Sequence, residues 1–315
     1  MTSDLRIIFL GTPEFAVAAL EELLIAKYNI VGVITAPDRP AGRGRKIRQS
    51  AVKNFAEKHN LNVLQPTNLK DPIFLEQLKI LNADLQIVVA FRMLPKVVWA
   101  MPKIGTFNLH ASLLPEYRGA APINWVIING ETKTGVTTFF INEKIDTGSI
   151  LLQEEIDISP TMDVGQLHDK LMILGSELIL KTIKLLQSAG YELIDQPRID
   201  KKIAPKLNKE NCKIDWTSPL NDIYNKIRGL SPYPGAWTIL NNKNEKIEVK
   251  IYRSEKVTQD HDFAIGTLIS DKKEIKIAVR DGFLKILDLK LAGKRRMDTR
   301  SLLNGYTFDE VSKML

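Results

Sequence analysis

The first half of the chain alternates short apolar runs with amphipathic segments. Aliphatic and β-branched runs predict buried strands over residues 7–10, 30–35, 85–90, 106–109, 135–141 and 150–158. A helical spacing of apolar positions predicts helices over residues 15–26, 52–58, 71–81 and 164–188. Strands that alternate with helices in this way favour an α/β fold with a doubly wound, mostly parallel sheet.

The second half has a different pattern. Residues 190–209 are polar, contain two prolines and lack helical periodicity, so we interpret them as a linker. A helix is then predicted over residues 219–228, and short strands separated by Asn, Asp and Gly turns are predicted over residues 246–252, 264–269, 275–279 and 284–291. Such a series is typical of a small β-barrel. We therefore expect a domain over residues 1–189, the linker, and a second domain over residues 210–315.

Three aromatic residues lie early in the second domain: Trp216, Tyr233 and Trp237. We interpret them as residues of the barrel core or of its junction with the preceding helix. The alternative is that they stack on nucleic-acid bases.

Composition and charge narrow the class of protein. The one cysteine, Cys212, excludes an internal disulfide, fits a reducing compartment and is interpreted as a packing residue. No run approaches the ~20 apolar residues that span a bilayer, and no signal-peptide pattern is present, so we expect a cytoplasmic protein without membrane contact.

The net charge of +7 is unevenly distributed. Residues 1–189 carry 20 basic and 19 acidic residues, residues 190–209 carry 5 and 3, and residues 210–315 carry 19 and 15. A polyanionic partner would therefore meet the linker and the second half. A mildly basic surface is also common in proteins that bind no nucleic acid.

The clearest chemistry lies in residues 107–122, F-N-L-H-A-S-L-L-P-E-Y-R-G-A-A-P. Side chains alternate faces on a strand, so Asn108 and His110 are expected on one face at the strand's carboxyl end, where ligands of open α/β sheets bind. An amide donor beside an imidazole can stabilise an oxyanion and move a proton. Asp146, in the turn K-I-D-T-G, either bonds its own backbone or orients this imidazole.

Neither a dinucleotide site nor a metal site is expected. The turn G-T-P-E-F at residues 11–15 has one glycine, and Pro13 has no N–H, whereas the pyrophosphate of NAD needs close backbone approach at several positions. We interpret it as a tight strand-to-helix turn. The four histidines are dispersed and no C-x-x-C occurs, so no metal is predicted.

A basic, glycine-containing stretch covers residues 39–48, R-P-A-G-R-G-R-K-I-R. Five of these ten residues are basic and none is acidic, and the glycines and proline predict a loop. Such a loop is either a solvated surface segment or one that orders on a phosphate backbone.

Taken together, these motifs resemble the methionyl-tRNA formyltransferase family within the folate-dependent formyltransferase superfamily. The resemblance runs nearly end to end and is carried by G-T-P-E-F, P-D-R-P-A-G-R-G-R-K, N-L-H-A-S-L-L-P-E-Y-R-G-A-A-P, E-T-K-T-G-V-T, D-T-G, K-L-N-K-E and I-D-W. It implies a Rossmann-like catalytic domain, an OB-like barrel, and formyl transfer from 10-formyltetrahydrofolate to initiator methionyl-tRNA. We expect a monomer.

The resemblance also implies roles for particular residues. Asn108, His110 and Asp146 match the family's catalytic trio. The positions that match its folate-contact segment are Ser112, Leu113, Leu114 and Pro115. Those expected to contact tRNA, in the basic loop and the linker, are Arg39, Arg43, Arg45, Lys46, Lys206 and Lys209.

One segment departs from the family pattern, which is usually A-Y-G-x-I-L-P. Here residues 90–95 read A-F-R-M-L-P, one residue shorter and with Arg92 in place of the glycine. Two rival functions share part of the pattern: a formyltransferase acting on a small amino-sugar or nucleotide, and a non-catalytic tRNA-binding module. The basic loop disfavours the first, and an intact N-x-H with D-T-G disfavours the second.

Overall fold

The computed structural model describes residues 5–41, 46–188, 190–197, 202–243 and 245–315. The elements of the first part of the chain are β1 (Arg6–Gly11), α1 (Glu14–Ile25), β2 (Asn29–Ile34), β3 (Arg39–Ala41), β4 (Lys46–Arg48), α2 (Ala51–Lys58), β5 (Val63–Leu64), α3 (Pro72–Ile80), β6 (Leu85–Val89), α4 (Lys96–Trp99), β7 (Gly105–His110), β8 (Arg118–Gly119), α5 (Pro122–Ile128), β9 (Lys133–Phe140), β10 (Ile150–Asp157) and α6 (Val164–Gln187).

A parallel-dominated sheet organises this part of the described chain. Its strand order is β10-β9-β7-β6-β1-β2-β5. The pairs β1–β2, β1–β6, β2–β5 and β6–β7 are parallel, and β9 joins β7 antiparallel. The predicted doubly wound α/β fold is confirmed, and the order reverses direction beside β1, as it does in nucleotide-binding folds.

Local sequence signals explain where the helices begin. The Asp71 carboxylate accepts from Ile73 N at 2.8 Å, so Asp71 is the N-cap of α3 and this helix begins at Pro72. Gly11 ends β1 at a turn so tight that an added Cβ would lie 2.6 Å from the Cβ of Ala16. The interpretation of G-T-P-E-F as a strand-to-helix turn is therefore confirmed.

The remaining elements follow in chain order: β11 (Ile203–Ala204), α7 (Leu220–Gly229), β12 (Ala236–Asn242), β13 (Glu245–Val257), β14 (Leu268–Ser270), β15 (Ile275–Val279), β16 (Gly282–Leu291), β17 (Met297–Asp298), α8 (Thr299–Leu303) and β18 (Lys313–Met314). Among described residues, one sheet has the order β14-β15-β16-β13-β12-β18, with β17 on β16. An antiparallel bridge between Thr267 and Lys313 joins its two ends. The predicted small barrel is confirmed.

Several predicted boundaries were wrong. Residues 39–41 and 46–48, expected as loop, pair as the antiparallel strands β3 and β4. Strand β14 covers only the end of the predicted 264–269, and β12 and α5 were not predicted at all. Strand β12 begins directly after a proline-rich turn, and α5 is a short, mostly apolar segment in which helical and strand patterns look alike.

Contacts divide the chain into two compact units that are interleaved along the sequence. The first contains residues up to Gly119, Thr134–Ile156 and His168–Ile203, and the second contains Ala120–Lys133, Asp157–Leu167 and Ala204–Leu315. The functional boundaries at residues 189 and 209 stay a prediction. Within the described residues, no helix combines the length and apolar character needed to cross a membrane.

Candidate active site

Strand β7 places Asn108 and His110 on one face of the sheet. Leu109 between them lies against α6 on the other face, where an added Cβ on Gly175 would meet a Leu109 methyl group at 2.7 Å. The alternation predicted for these three residues is confirmed. His110 is 6% exposed, whereas Asn108 is half-buried.

The structure brings Asp146 to this imidazole from the loop after β9. Its Oδ2 lies 3.8 Å from His110 Nδ1, and both side chains are largely buried, at 15% and 7% exposure. The same oxygen accepts the backbone N–H of Gly119 at 3.0 Å. The carboxylate therefore faces His110 and β8, and the alternative of a turn aspartate bonded to its own backbone is excluded.

His110 is held from its other side by the backbone. Its Nε2 lies 3.0 Å from the Tyr117 carbonyl oxygen, which can only accept a hydrogen bond. An Nε2–H that donates to this carbonyl leaves the Nδ1 edge directed at Asp146. Among the described residues, no acceptor lies within hydrogen-bonding distance of Nδ1, so this edge is available to a substrate.

The Asn108 amide has no hydrogen-bond partner among the described residues. It lies on β7 opposite Val88 of β6, at the carboxyl ends of two parallel strands. Its side-chain polar atoms are not among the buried atoms that lack a partner, so they are open to a ligand at this edge of the sheet. Asn108, His110 and Asp146 therefore form a polar trio with unused donor and acceptor capacity, within one compact unit.

Arg118, which sequence reasoning missed, positions Asp146. Its guanidinium is 7% exposed, and its Nε donates to the Asp146 carbonyl at 2.9 Å. Its Nη2 donates to Gln196 Oε1 at 2.6 Å. The only signal was the Y-R-G within the quoted motif, and a buried arginine cannot be distinguished from an exposed one by sequence alone.

Side chains of β9 and β10 hold the segment from Ser112 to Pro115 in place. Thr137 Oγ1 donates to the Ser112 carbonyl at 2.7 Å and accepts the Leu114 N–H at 3.1 Å. Gln153 Nε2 donates to Leu114 O at 2.9 Å. The Ser112 and Leu114 side chains are buried, whereas Leu113 and Pro115 are half-buried. A ligand would thus meet the latter two side chains.

Residues 90–95, the segment that departs from the family pattern, are hydrogen-bonded to a neighbouring loop. The Arg92 guanidinium donates to the Pro66 carbonyl and, at 3.0 Å, to that of Thr67. Burial lowers the pKa of Arg92, and the positive charge of Arg39 lowers it further. The arginine that replaces the family's glycine therefore anchors the segment.

The residues expected to contact tRNA are only partly described. Arg43 and Arg45 lie outside the described residues. Arg39 is exposed on β3, and Lys46 begins β4. In the second unit, Lys206 is exposed, and Lys209 Nζ lies 3.2 Å from Glu248 Oε2.

One other prediction about a single residue is confirmed. Cys212 is 4% exposed and burial raises its pKa, which confirms a packing role. No group of three or more His, Cys, Asp or Glu suited to a metal occurs in the described part of the chain.

Comparison with known proteins gives a consistent picture. The formyl transferase family matches residues 5–183, and the formyl transferase C-terminal domain matches residues 206–307. The chain is 60% identical to the methionyl-tRNA formyltransferase of Flavobacterium johnsoniae, over 98% of this chain and 99% of that relative. It is 52% identical to the methionyl-tRNA formyltransferase of Bacteroides thetaiotaomicron, over 99% and 98% of the two chains.

A solved structure is similar in fold. The N-formyltransferase from Helicobacter canadensis, in complex with folinic acid and dTDP-3-aminofucose, superposes with a TM-score of 0.68 at 23% identity. The similarity covers 90% of this chain and 98% of that one.

Proposed function

This chain belongs to the methionyl-tRNA formyltransferase family, and on that premise we propose that it transfers a formyl group from 10-formyltetrahydrofolate to the free amino group of methionyl initiator tRNA. The observation that carries the proposal is the trio of Asn108, His110 and Asp146, which is assembled from two distant segments. Acyl transfer to an amine needs an oxyanion donor and a group that moves a proton, and the trio contains both.

The residues around Asn108 fit a folate donor. The amide lies at the carboxyl end of β7, opposite Val88 of β6, whose apolar side chain is 4% exposed. A pterin ring needs an apolar wall with a few polar groups, and the formyl oxygen needs a donor. Leu113 and Pro115 supply further half-buried apolar surface.

The reaction begins when the neutral methionyl amine attacks the formyl carbon. The carbonyl oxygen becomes an oxyanion, and the Asn108 amide and the Nδ1 edge of His110 donate to it. Asp146 stabilises the positively charged imidazole and accepts the proton that the attacking amine loses. When the C–N bond to the folate breaks, the same proton passes to the departing folate nitrogen. Protons therefore balance without an external acid or base.

The basic segments support a polyanionic substrate. Arg39 on β3 and Lys206 in the second unit are exposed, and no ion pair within the described residues neutralises them. We propose that the loop containing Arg43, Arg45 and Lys46, together with Lys206 and Lys209, contacts tRNA phosphates. Binding would then weaken as salt rises.

One chain carries the whole trio, which supports action as a monomer.

The test is a formylation assay with the full chain and 10-formyltetrahydrofolate. Charged initiator tRNA and a dTDP-amino-sugar are offered separately as acceptors. We expect N-formylmethionyl-tRNA, and we expect Asn108→Ala to lower kcat about 10²–10³-fold because one oxyanion donor is lost.

The matched control is Asn62→Ala, since Asn62 is exposed and its side chain lies outside the trio. Formylation of the amino-sugar but not of the tRNA would replace the proposal with the small-molecule rival. Full activity of Asn108→Ala would remove that amide from the mechanism.

A further inference from the structure

The second compact unit contains a cleft that takes no part in the proposed bond-forming and proton-transfer steps, although Lys206 and Lys209, proposed above to contact tRNA, line it. Its volume is about 590 Å³, within the range of small-ligand sites. It is lined by residues of the linker, of the turn before β12, and of β12 and β13. Two aromatic side chains and three lysines are among its lining residues.

Tyr233 is the most exposed large apolar or aromatic side chain among the described residues, at 82%. It lies between Pro232 and Pro234 in the turn before β12. Proline fixes its own φ and restricts the residue before it, so the backbone at Tyr233 is held in one region. Its hydroxyl has no hydrogen-bond partner in the described part of the chain. The prediction of a core role was therefore wrong for Tyr233, although it is confirmed for Trp216, which is 4% exposed.

Trp237 forms a second aromatic surface of the cleft. Its indole N–H donates to the Lys209 carbonyl at 2.7 Å, which fixes the plane of the ring. Lys209 Nζ lies 4.9 Å and Lys213 Nζ 5.8 Å from the ring centroid. The Trp237 ring is half-buried, and the ammonium groups of these two lysines lie within cation–π distance of it.

The lining is positively charged. Three lysines, Lys206, Lys209 and Lys250, and one glutamate, Glu248, contribute to it. Lys209 pairs with Glu248 at 3.2 Å, and Lys250 Nζ donates to the Pro234 carbonyl at 2.8 Å. Lys206 has no ion-pair partner among the described residues, so its charge is available to an anion.

We propose that this cleft binds one nucleotide of a single-stranded RNA segment, with the base stacked on Tyr233 and the phosphate at Lys206. An exposed aromatic ring that shares a cleft with an unpaired positive charge is the arrangement by which proteins hold unpaired nucleotides. The inference rests on the proposed function, because the tRNA substrate has a single-stranded 3′ end. It adds Tyr233 as a substrate-binding residue and explains why so large a ring is left in water.

The first experiment measures binding of a labelled single-stranded RNA hexanucleotide to the full chain by fluorescence anisotropy. We expect Tyr233→Ala to weaken binding about ten-fold, and Tyr233→Phe to bind within about two-fold of the unchanged chain, since stacking needs only the ring. Lys206→Ala should weaken binding and reduce the salt slope by about one.

Two controls match these changes. Val311→Ala removes part of another side chain that is 80% exposed, and Lys272→Ala removes an exposed lysine from the turn between β14 and β15. Both should leave binding unchanged. Because Tyr233 is exposed, its substitution is not expected to unfold the chain, and the far-ultraviolet circular dichroism of each variant checks this.

The second experiment measures KM for charged initiator tRNA in the formylation assay. We expect Tyr233→Ala to raise this KM about ten-fold while KM for the formyl-folate is unchanged. The inference would be overturned if Tyr233→Ala, Tyr233→Phe and the chain without substitutions had the same affinity for the hexanucleotide and the same KM for charged initiator tRNA.

Tyr233-dependent binding of AMP without any change in KM for tRNA would also overturn it, in favour of a small-nucleotide site. Failure of the proposed function can be distinguished from failure of this inference. If the chain without substitutions binds the hexanucleotide in a Tyr233-dependent way but formylates no tRNA, the proposed reaction is contradicted, whereas RNA binding in the cleft is supported.

Discussion

At the scale of single residues, the candidate site depends on how Asp146 is held. Its φ of 53° lies in the left-handed region, which aspartate tolerates better than most residues. Arg118 fixes its carbonyl oxygen and the Gly119 N–H fixes its carboxylate, so the conformation is determined by two independent contacts. The carboxylate is therefore positioned before substrate binds, which lowers the reorganisation that catalysis requires.

A substitution that removes only the charge tests this role. In Asp146→Asn the amide oxygen can still accept the Gly119 N–H, but the negative charge 3.8 Å from His110 Nδ1 is lost. We expect kcat for formylation to fall about 10²–10⁴-fold, because a positioned proton-transfer group contributes that much. KM for tRNA should stay within about two-fold, as steady-state kinetics would show.

The control for this change is Asp195→Asn. Asp195 is exposed and accepts a hydrogen bond from Ser149 Oγ at 2.8 Å, away from the imidazole. Its kinetics should match those of the unchanged chain. If Asp146→Asn also kept its kcat, the carboxylate would have no part in proton transfer.

At the scale of elements, the sequence predicted strands with continuous apolar runs more accurately than loops. Strand β15 and helix α6 lie within one residue of the prediction, because their periodicity is regular over their whole length. The clamp on residues 112–115 could not be predicted. It depends on Thr137 and Gln153, which lie on different strands, and tertiary pairing alone decides that their polar atoms meet.

Strand β9 offers a matched pair of threonines for testing this clamp. Thr137 Oγ1 bonds the Ser112 carbonyl and the Leu114 N–H, whereas Thr134 Oγ1 is buried and has no hydrogen-bond partner among the described residues. We expect Thr137→Val to lower the free energy of unfolding by about 1–3 kcal/mol, because buried backbone groups lose their partner. Thr134→Val should leave it unchanged or raise it, because an unpaired hydroxyl is removed.

Urea denaturation followed by circular dichroism compares the two variants. The clamp would be unimportant if both valine substitutions changed the free energy of unfolding equally. A KM for formyl-folate that rises in Thr137→Val alone would further connect the clamp to the folate-contact segment.

At the scale of the whole molecule, the sequence predicted two halves, while the compact units are interleaved. Residues 120–133, which follow the catalytic motif directly, belong to the unit that contains the barrel. No periodic signal marks this exchange, because α5 is short and mostly apolar and its partner α7 begins 98 positions after α5 does. Contacts between segments so distant in sequence are decided by packing, which a pattern of single positions does not record.

The interleaving predicts that the barrel is not an independent folding unit. Asn124 of α5 donates to the Gly229 carbonyl at 2.8 Å, and Trp125 donates to Pro205 O at 2.8 Å. Ile128 packs against the barrel core, and Arg228 donates to Met162 O at 2.9 Å. A fragment of residues 204–315 lacks every one of these partners. We expect it to be less stable than the same segment within the full chain by about 3 kcal/mol or more, since each lost hydrogen bond costs about 1 kcal/mol and buried apolar side chains become exposed.

Hydrogen exchange of the β13 and β16 amides measures this stability in the fragment and in the full chain. A synthetic peptide of residues 120–133 should raise the fragment's urea midpoint as its concentration increases, because a ligand that binds only the folded state stabilises it. A peptide of the same composition in scrambled order should not. If the fragment alone protects its barrel amides as well as the full chain does, and the peptide changes nothing, then residues 204–315 form an autonomous domain and the packing of α5 on α7 contributes little to it.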